Sequence, residues 1–302
     1  MSMKTYAWFP TECSVPDHMM EIVLGEYSTR DGEKIPMARN VIINSEWGIP
    51  NSMYLQGDEQ KGIPREIKIT WYSYSEDAFY ELHEQLPDLS IYFEKGLYDG
   101  FSASFVPVNT ICLGMAPGGQ VNVWLQNMDQ SVLLVSYRGK LVELEWSTTM
   151  DVEVSKEEFI KEVRSDNRLG IPSYTEQEIS IFNRLTGIDI EFHMKGATGP
   201  LVIQHYNGEK KRYALSQLKC SITAAGPIQQ MDLSVSTDQG ARRIVLDMDK
   251  EEMLDAYAKC MEGLLFNAYI NIFTNEVKLD VHCGDRTATL SHFKSAVFLD
   301  EH

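Results

Sequence analysis

The chain has 302 residues, 43% of them apolar and 24% charged, enough to bury a core and, at roughly 150 residues per domain, to form two domains. Twenty-seven lysines and arginines face 44 aspartates and glutamates, and the net charge of −17 repels phosphate backbones and anionic lipid surfaces. Nucleic-acid and membrane-surface binding are therefore excluded as first readings, and no apolar run approaches the roughly 20 residues of a membrane-spanning helix.

The start, Met1 to Pro10, lacks an apolar core between a basic head and a small-residue cleavage site, so the expected location is cytoplasmic. A leader trimmed from before Met1-Ser2-Met3 would change that to the periplasm or a membrane anchor. Further on, Glu66–Tyr74 places Ile67, Ile69 and Trp71 on one face and Lys68, Thr70 and Tyr72 on the other, the period of a half-buried strand. Phe79–Leu86 reads as its partner, although Glu81, Glu84 and Gln85 also allow a helical turn. Ile111–Met115 and Val121–Leu125 form the arms of a hairpin around Ala116-Pro117-Gly118-Gly119, where proline and glycine suit the turn. Val132–Tyr137 and Leu141–Trp146 continue the series, joined at Arg138-Gly139-Lys140, and tight connections of this kind favour an antiparallel sheet or sandwich.

The pattern changes near residue 150. Ser155 with Glu158, and Thr175 with Glu178, have capping-box spacing. The first opens a helix with Phe159, Ile160 and Val163 inward, and the second a helix over Glu176–Leu185 stopped by Gly187. Strands then resume at Ile188–Met194. Leu201–Tyr206 meets Lys211–Leu215 around Asn207-Gly208, and Asp232–Thr237 meets Arg242–Met248 around Asp238-Gln239-Gly240. Asp249 with Glu252 caps a third helix running to about Gly263, with Met253, Leu254, Tyr257, Met261 and Leu264 inward. Ala268–Thr274, Val277–His282 and Thr287–Phe293 read as three last strands. The fold class is α+β and β-rich: a β domain over 1–150, then an α+β domain over 151–302 with about three helices. Both halves are acidic, and no period of 20–50 residues recurs.

Chemistry is sparse in this pattern. Five scattered cysteines (Cys13, Cys112, Cys220, Cys260, Cys283), odd in number and without C-x-x-C spacing, read as reduced, mostly buried thiols. The glycines of 114–119 sit between strands with no Lys-Ser/Thr after them, unlike a phosphate cradle. No G-x-S-x-G occurs, and Ser73, Asp77 and His83, close in sequence, do not constitute a triad. His282, Cys283, Asp285 and His292 are weak metal candidates, since adjacent strand residues point to opposite faces. No cofactor and no catalytic residue is expected.

Two blocks do carry a resemblance. GIPREIKITWYSYSEDAFY (Gly62 to Tyr80) and ICLGMAPGGQVNVWL (Ile111 to Leu125) resemble the signatures of an uncharacterised bacterial family, domain-of-unknown-function family 2931. Met20-Glu21-Ile22-Val23-Leu24-Gly25 and Trp47-Gly48 are also similar, with Glu46 standing where the family usually has glycine. The likeness spans about residues 4–145. It implies no established reaction and no catalytic residues. What it does imply is a small bacterial protein, a form often lipoprotein in this family, with several members encoded beside secreted antibacterial toxins.

The resulting expectation is a non-enzymatic protein-binding protein, an immunity protein that covers a basic toxin domain with its own acidic surface. Its partner-facing acids are expected at Glu76 and Asp77 and on the third helix at Asp249, Glu251, Glu252 and Asp255. The alternative is an envelope protein binding glycan or lipid on an aromatic platform of Trp71, Tyr72, Tyr74, Phe79 and Tyr80. A metal-dependent hydrolase using the 282–292 set stands third.

Overall fold

The computed structural model describes residues 4–51, 58–150, 154–167, 172–194, 197–237, 240–260, 263–271 and 274–299. Among these, strands far outnumber helices, as the turn-punctuated alternation implies, and the α+β, β-rich class holds. The chain divides into two compact units: Met1–Leu97 with Val106–Ile179, and Tyr98–Phe105 with Ser180–His302. Residue 150 lies inside the first of these.

Unit 1 opens with β1 (Tyr6–Ala7), β2 (Phe9–Ser14), β3 (Met20–Thr29), β4 (Lys34–Pro36), β5 (Ile42–Ile43) and β6 (Gln60–Lys61). The alternating Ile67/Ile69/Trp71 segment is β7 (Pro64–Ser73), and its partner is a strand, β8 (Ala78–Gln85), rather than a helical turn. A short helix, α1 (Ser90–Lys95), follows, and the β9 (Leu97–Asp99) and β10 (Ser104–Val106) pair after it lies mostly in the Tyr98–Phe105 segment that belongs to unit 2. The expected hairpin is β11 (Thr110–Ala116) and β12 (Gln120–Gln126), in register Ile111 to Leu125. Its turn has Gly118 and Gly119 at φ of 71° and 72°, a left-handed conformation that costs glycine little. After β13 (Ser131–Arg138), β14 is only Lys140–Val142, and Trp146 starts a helical turn, α2 (Trp146–Thr149). Two sheets result, in strand orders β2-β11-β12-β13 and β14-β8-β7-β3-β4. They enclose one apolar cluster that includes Trp8, Ile22, Ile69, Trp71, Leu113 and Val123.

Both helical capping boxes form as the spacing implies. Ser155 Oγ accepts from Glu158 N at the start of α3 (Lys156–Asn167), and Thr175 Oγ1 accepts from Glu178 N at α4 (Glu176–Phe182). Ile160 and Val163 join Trp146, Tyr72, Tyr74 and Phe79 in a second apolar cluster, so α2 and α3 cover the outer side of β7 and β8.

Unit 2 continues with β15 (Thr186–His193), β16 (Ala197–His205), β17 (Lys210–Tyr213), β18 (Lys219–Ala225), β19 (Ile228–Thr237) and β20 (Gly240–Asp247). Gly187 lies within β15 and does not stop a helix, because α4 already ends at Phe182. The Asn207-Gly208 hairpin is present with Gly208 at φ 81°; Asp238 and Gln239 of the other expected turn lie outside the described residues, as does Met261. Helix α5 (Lys250–Lys259) is capped by Asp249, and β21 (Leu264–Asn271), β22 (Glu276–Cys283), β23 (Arg286–Leu290) and β24 (Lys294–Leu299) complete the unit.

The strand orders of this unit, β18-β15-β21-β22-β23 and β24-β20-β19-β16-β17, repeat those of unit 1. β15 is parallel to β21 as β2 is to β11; the β16-β19-β20 path matches β3-β7-β8; α5 leads into β21 where α1 precedes β11. The β18 edge strand is the main addition. The chain therefore contains one topology twice, at a spacing of more than 150 residues that no short-period search can meet.

Candidate functional site

The two signature blocks meet at the β7–β8 turn. Asp77 takes a left-handed φ of 52°, which reverses the chain between Ser73 and Ala78 and turns the Glu76 carboxylate toward the β11–β12 turn. There Gly118 N–H donates to Glu76 Oε1 at 2.8 Å, Tyr80 hydroxyl donates to the same oxygen at 3.2 Å, and Ser73 hydroxyl donates to Oε2 at 2.9 Å. Glu176, from α4, lies against the other side of Gly118, where a Cβ would stand 2.3 Å from its Oε2, and Arg138 pairs with it. Asp77 accepts from Tyr72 hydroxyl and pairs with Lys156 Nζ at 2.5 Å, and that ammonium also stands over the Tyr72 and Trp146 rings.

His18 lies beneath this turn, fully buried, with Nδ1 2.6 Å from Ser75 Oγ and Nε2 3.8 Å from Glu76 Oε2. Burial pushes its pKa down to about 4, so at neutral pH the ring is uncharged and the Glu76 contact is not an ion pair. A serine, a histidine and a glutamate are thus adjacent, but Glu76 is committed to Gly118, Ser73 and Tyr80, and it does not orient the imidazole by a hydrogen bond. The arrangement is a polar latch between two turns. Sequence reading singled out Glu76 and Asp77 as partner-facing acids rather than as a latch, and did not single out His18, Gly118 as a donor or Glu176. His18 sits in a non-periodic stretch before β3, and Glu176 is nearly 60 residues from the turn it braces.

The aromatic residues behind the latch are packing. Trp71, Tyr72 and Tyr74 are wholly buried, and Phe79 and Tyr80 nearly so. Trp71 stacks on Tyr80 with centroids 5.4 Å apart, and Gly139 lies so close that an added Cβ would come within 2.3 Å of the indole. Ring faces buried in two sheets and under α2 and α3 form no exposed platform for a sugar or lipid, which corrects that expectation. His83 is on β8 and pairs with Glu66.

The α5 acids divide by role. Asp249 is the N-cap, accepting from Glu252 N at 3.0 Å; Asp255 pairs with Lys259 four residues on; Glu251 is 77% exposed. Glu252 instead holds the loop after β23, accepting from Ser291 N, Ser291 Oγ and His292 N. Although partial burial opposes ionisation, these donors outweigh it and hold the carboxyl pKa at about 2.

The metal reading also meets a correction. Cys283 is bonded to Cys260, with Cα atoms 5.6 Å apart, while Cys13, Cys112 and Cys220 are buried thiols. A scattered, odd set thus hides one pair 23 residues apart, joined because the end of α5 meets the end of β22. His282 contacts Thr287 and His292 contacts Glu252, and among the described residues no three metal-binding side chains converge.

A family model described as "Protein of unknown function (DUF2931)" matches residues 2–175. The chain belongs to this family. The matched span takes in both signature blocks, helix α3 and the latch except Glu176. No curated protein and no solved structure matches the chain. No helix among the described residues is long and apolar enough to cross a membrane.

Proposed function

We propose that the protein is a non-enzymatic binding protein that masks a basic protein partner, with neutralisation of an antibacterial secreted toxin as its role. The −17 charge supports this reading most, because an acidic surface accelerates encounter with a basic partner and occlusion needs shape rather than bond chemistry. Asp77, Glu251 and Asp255 keep half or more of their side-chain surface exposed, and these acids are the suggested contacts, Glu76 and Glu252 being spent internally. The Cys260–Cys283 bridge supports action in an oxidising compartment such as the periplasm.

The deciding experiment mixes the purified protein with the product of a neighbouring effector gene, and challenges cells with that effector. The reading expects a stable complex whose association slows as salt rises, and protection of cells that make the protein. Survival of challenged cells that lack the protein would end the proposal.

A further inference from the structure

Because the two units share one topology, each shows what the other has changed. In unit 1 the region between α1 and the β12–β13 pair is filled: Leu89, Phe93 and Leu97 belong to the same apolar cluster as Leu125, and Val132 and Val135 pack against it. In unit 2 the β22–β23 pair carries a small side chain on the helix side: Ala288 is the register partner of Val281. On the facing helix, Met253 and Tyr257 are buried, and between them Ala256 turns toward β23. Ala256 of α5 and Ala288 of β23 both line a cleft of about 330 Å³.

The cleft floor is apolar: Ala256, Leu264, Val281, Ala288 and Leu290. At one end, beside the Cys260–Cys283 bridge, stands Arg286. Arg286 makes no ion pair among the described residues, whereas Lys259 next to it is matched by Asp255 at 2.5 Å. Two carboxylates also line the cleft, and both are engaged: Glu252 accepts from Ser291 N, Ser291 Oγ and His292 N, and Asp255 pairs with Lys259. The volume falls in the lower range of small-ligand pockets, and a narrow apolar floor with one unmatched guanidinium at its end suits a chain with a single anionic head.

We propose that this cleft binds a medium-length acyl carboxylate, its chain over Ala256, Ala288 and Leu290 and its head at Arg286. The proposal does not rest on the toxin-binding reading, since it needs no protein partner, although Asp255 lines the cleft and is also a suggested partner contact. The cleft also lies in the half of the chain beyond the family match.

The test titrates the intact, disulfide-bonded protein with decanoate, decanol and decyltrimethylammonium, following heat of binding and thermal midpoint. Decanoate is expected to bind and raise the midpoint, decanol to bind about tenfold more weakly, and the cationic amphiphile weakest of all. Arg286→Glu, an exposed change that leaves the fold intact, should weaken decanoate about tenfold or more and leave decanol unchanged. Ala256→Leu, which fills the cleft from the helix side, should abolish binding of both. Absence of decanoate binding by the wild-type protein overturns the proposal. So does binding that survives both substitutions, which would place the ligand elsewhere, or equal affinity for all three amphiphiles, which would remove the role of Arg286.

Discussion

Three glycines of unit 1 lie against aromatic rings that leave no room for a side chain. Gly139 lies under the Trp71 indole, Gly114 under Trp124 and Trp47, and Gly119 against Tyr80 and the Gly139 carbonyl. Gly139 has no positive φ to accommodate, so its constraint is space alone. Replacing it with alanine would drive a methyl to within 2.3 Å of Trp71 Cη2, a buried ring locked by Tyr80. Overpacking of this kind costs about 1–3 kcal/mol, and urea unfolding of Gly139→Ala should show a loss in that range with the m-value unchanged. A shift below about 0.5 kcal/mol would mean the indole can retreat. The latch is less costly to break. Glu76→Ala removes three accepted hydrogen bonds at a partly exposed site, and about 1–2 kcal/mol is expected, read by the same unfolding curve.

At the scale of elements, α5 is fixed to its sheet at both ends by different chemistry. Its first turn binds the loop after β23 through Glu252, and its last residue adjoins Cys260, bridged to Cys283. For Glu252, a folded pKa near 2 below an ordinary value near 4.5 means stability that is fully present above pH 4.5 and lost as pH falls toward 2. Glu252→Gln should therefore lower stability at pH 6 and make no difference at pH 2. The bridge closes a loop of 23 residues, which the chain-entropy account values at about 3 kcal/mol. Cys260→Ser with Cys283→Ser should lower the thermal midpoint, and reductant should do the same to the wild type alone. A native mass identical before and after reduction would refute the bridge. The pairing was not legible in the sequence, because cysteine spacing reports local motifs while this contact depends on how α5 meets β22. Local signals did transmit well where the chain's near neighbours decide the outcome. The three capping sites, the Pro117–Gly119 turn and the Asn207-Gly208 hairpin all appear as read.

At the scale of the whole molecule, the repeated topology was hidden for a physical reason. Strand order is set by which sheet each strand joins, and alternation of apolar residues is shared by every strand in both units, so it labels none of them. The parallel pairs β2–β11 and β15–β21 join strands about 70 to 100 residues apart and leave no local trace. The buried histidines were equally silent, and they govern one property of the entire chain. His18 in unit 1 and His205 in unit 2 are both wholly buried, and burial lowers each pKa from 6.5 to about 4. Unfolding exposes both rings to water, where they take up protons below pH 6.5, while the native state stays unprotonated until about pH 4. Stability is thus fully present above pH 6.5 and falls through the window from 6.5 to 4, by up to about 3 kcal/mol for each ring. Glu21, whose pKa burial raises, contributes with the opposite sign, so the expected decline between pH 6.5 and 5 comes from the two histidines. Urea midpoints measured across that range should drop steadily in the wild type. In His18→Gln with His205→Gln the same range should be nearly flat, at the cost of a lower plateau at pH 7. A wild-type curve level down to pH 5 would show that these rings are protonated in the native state.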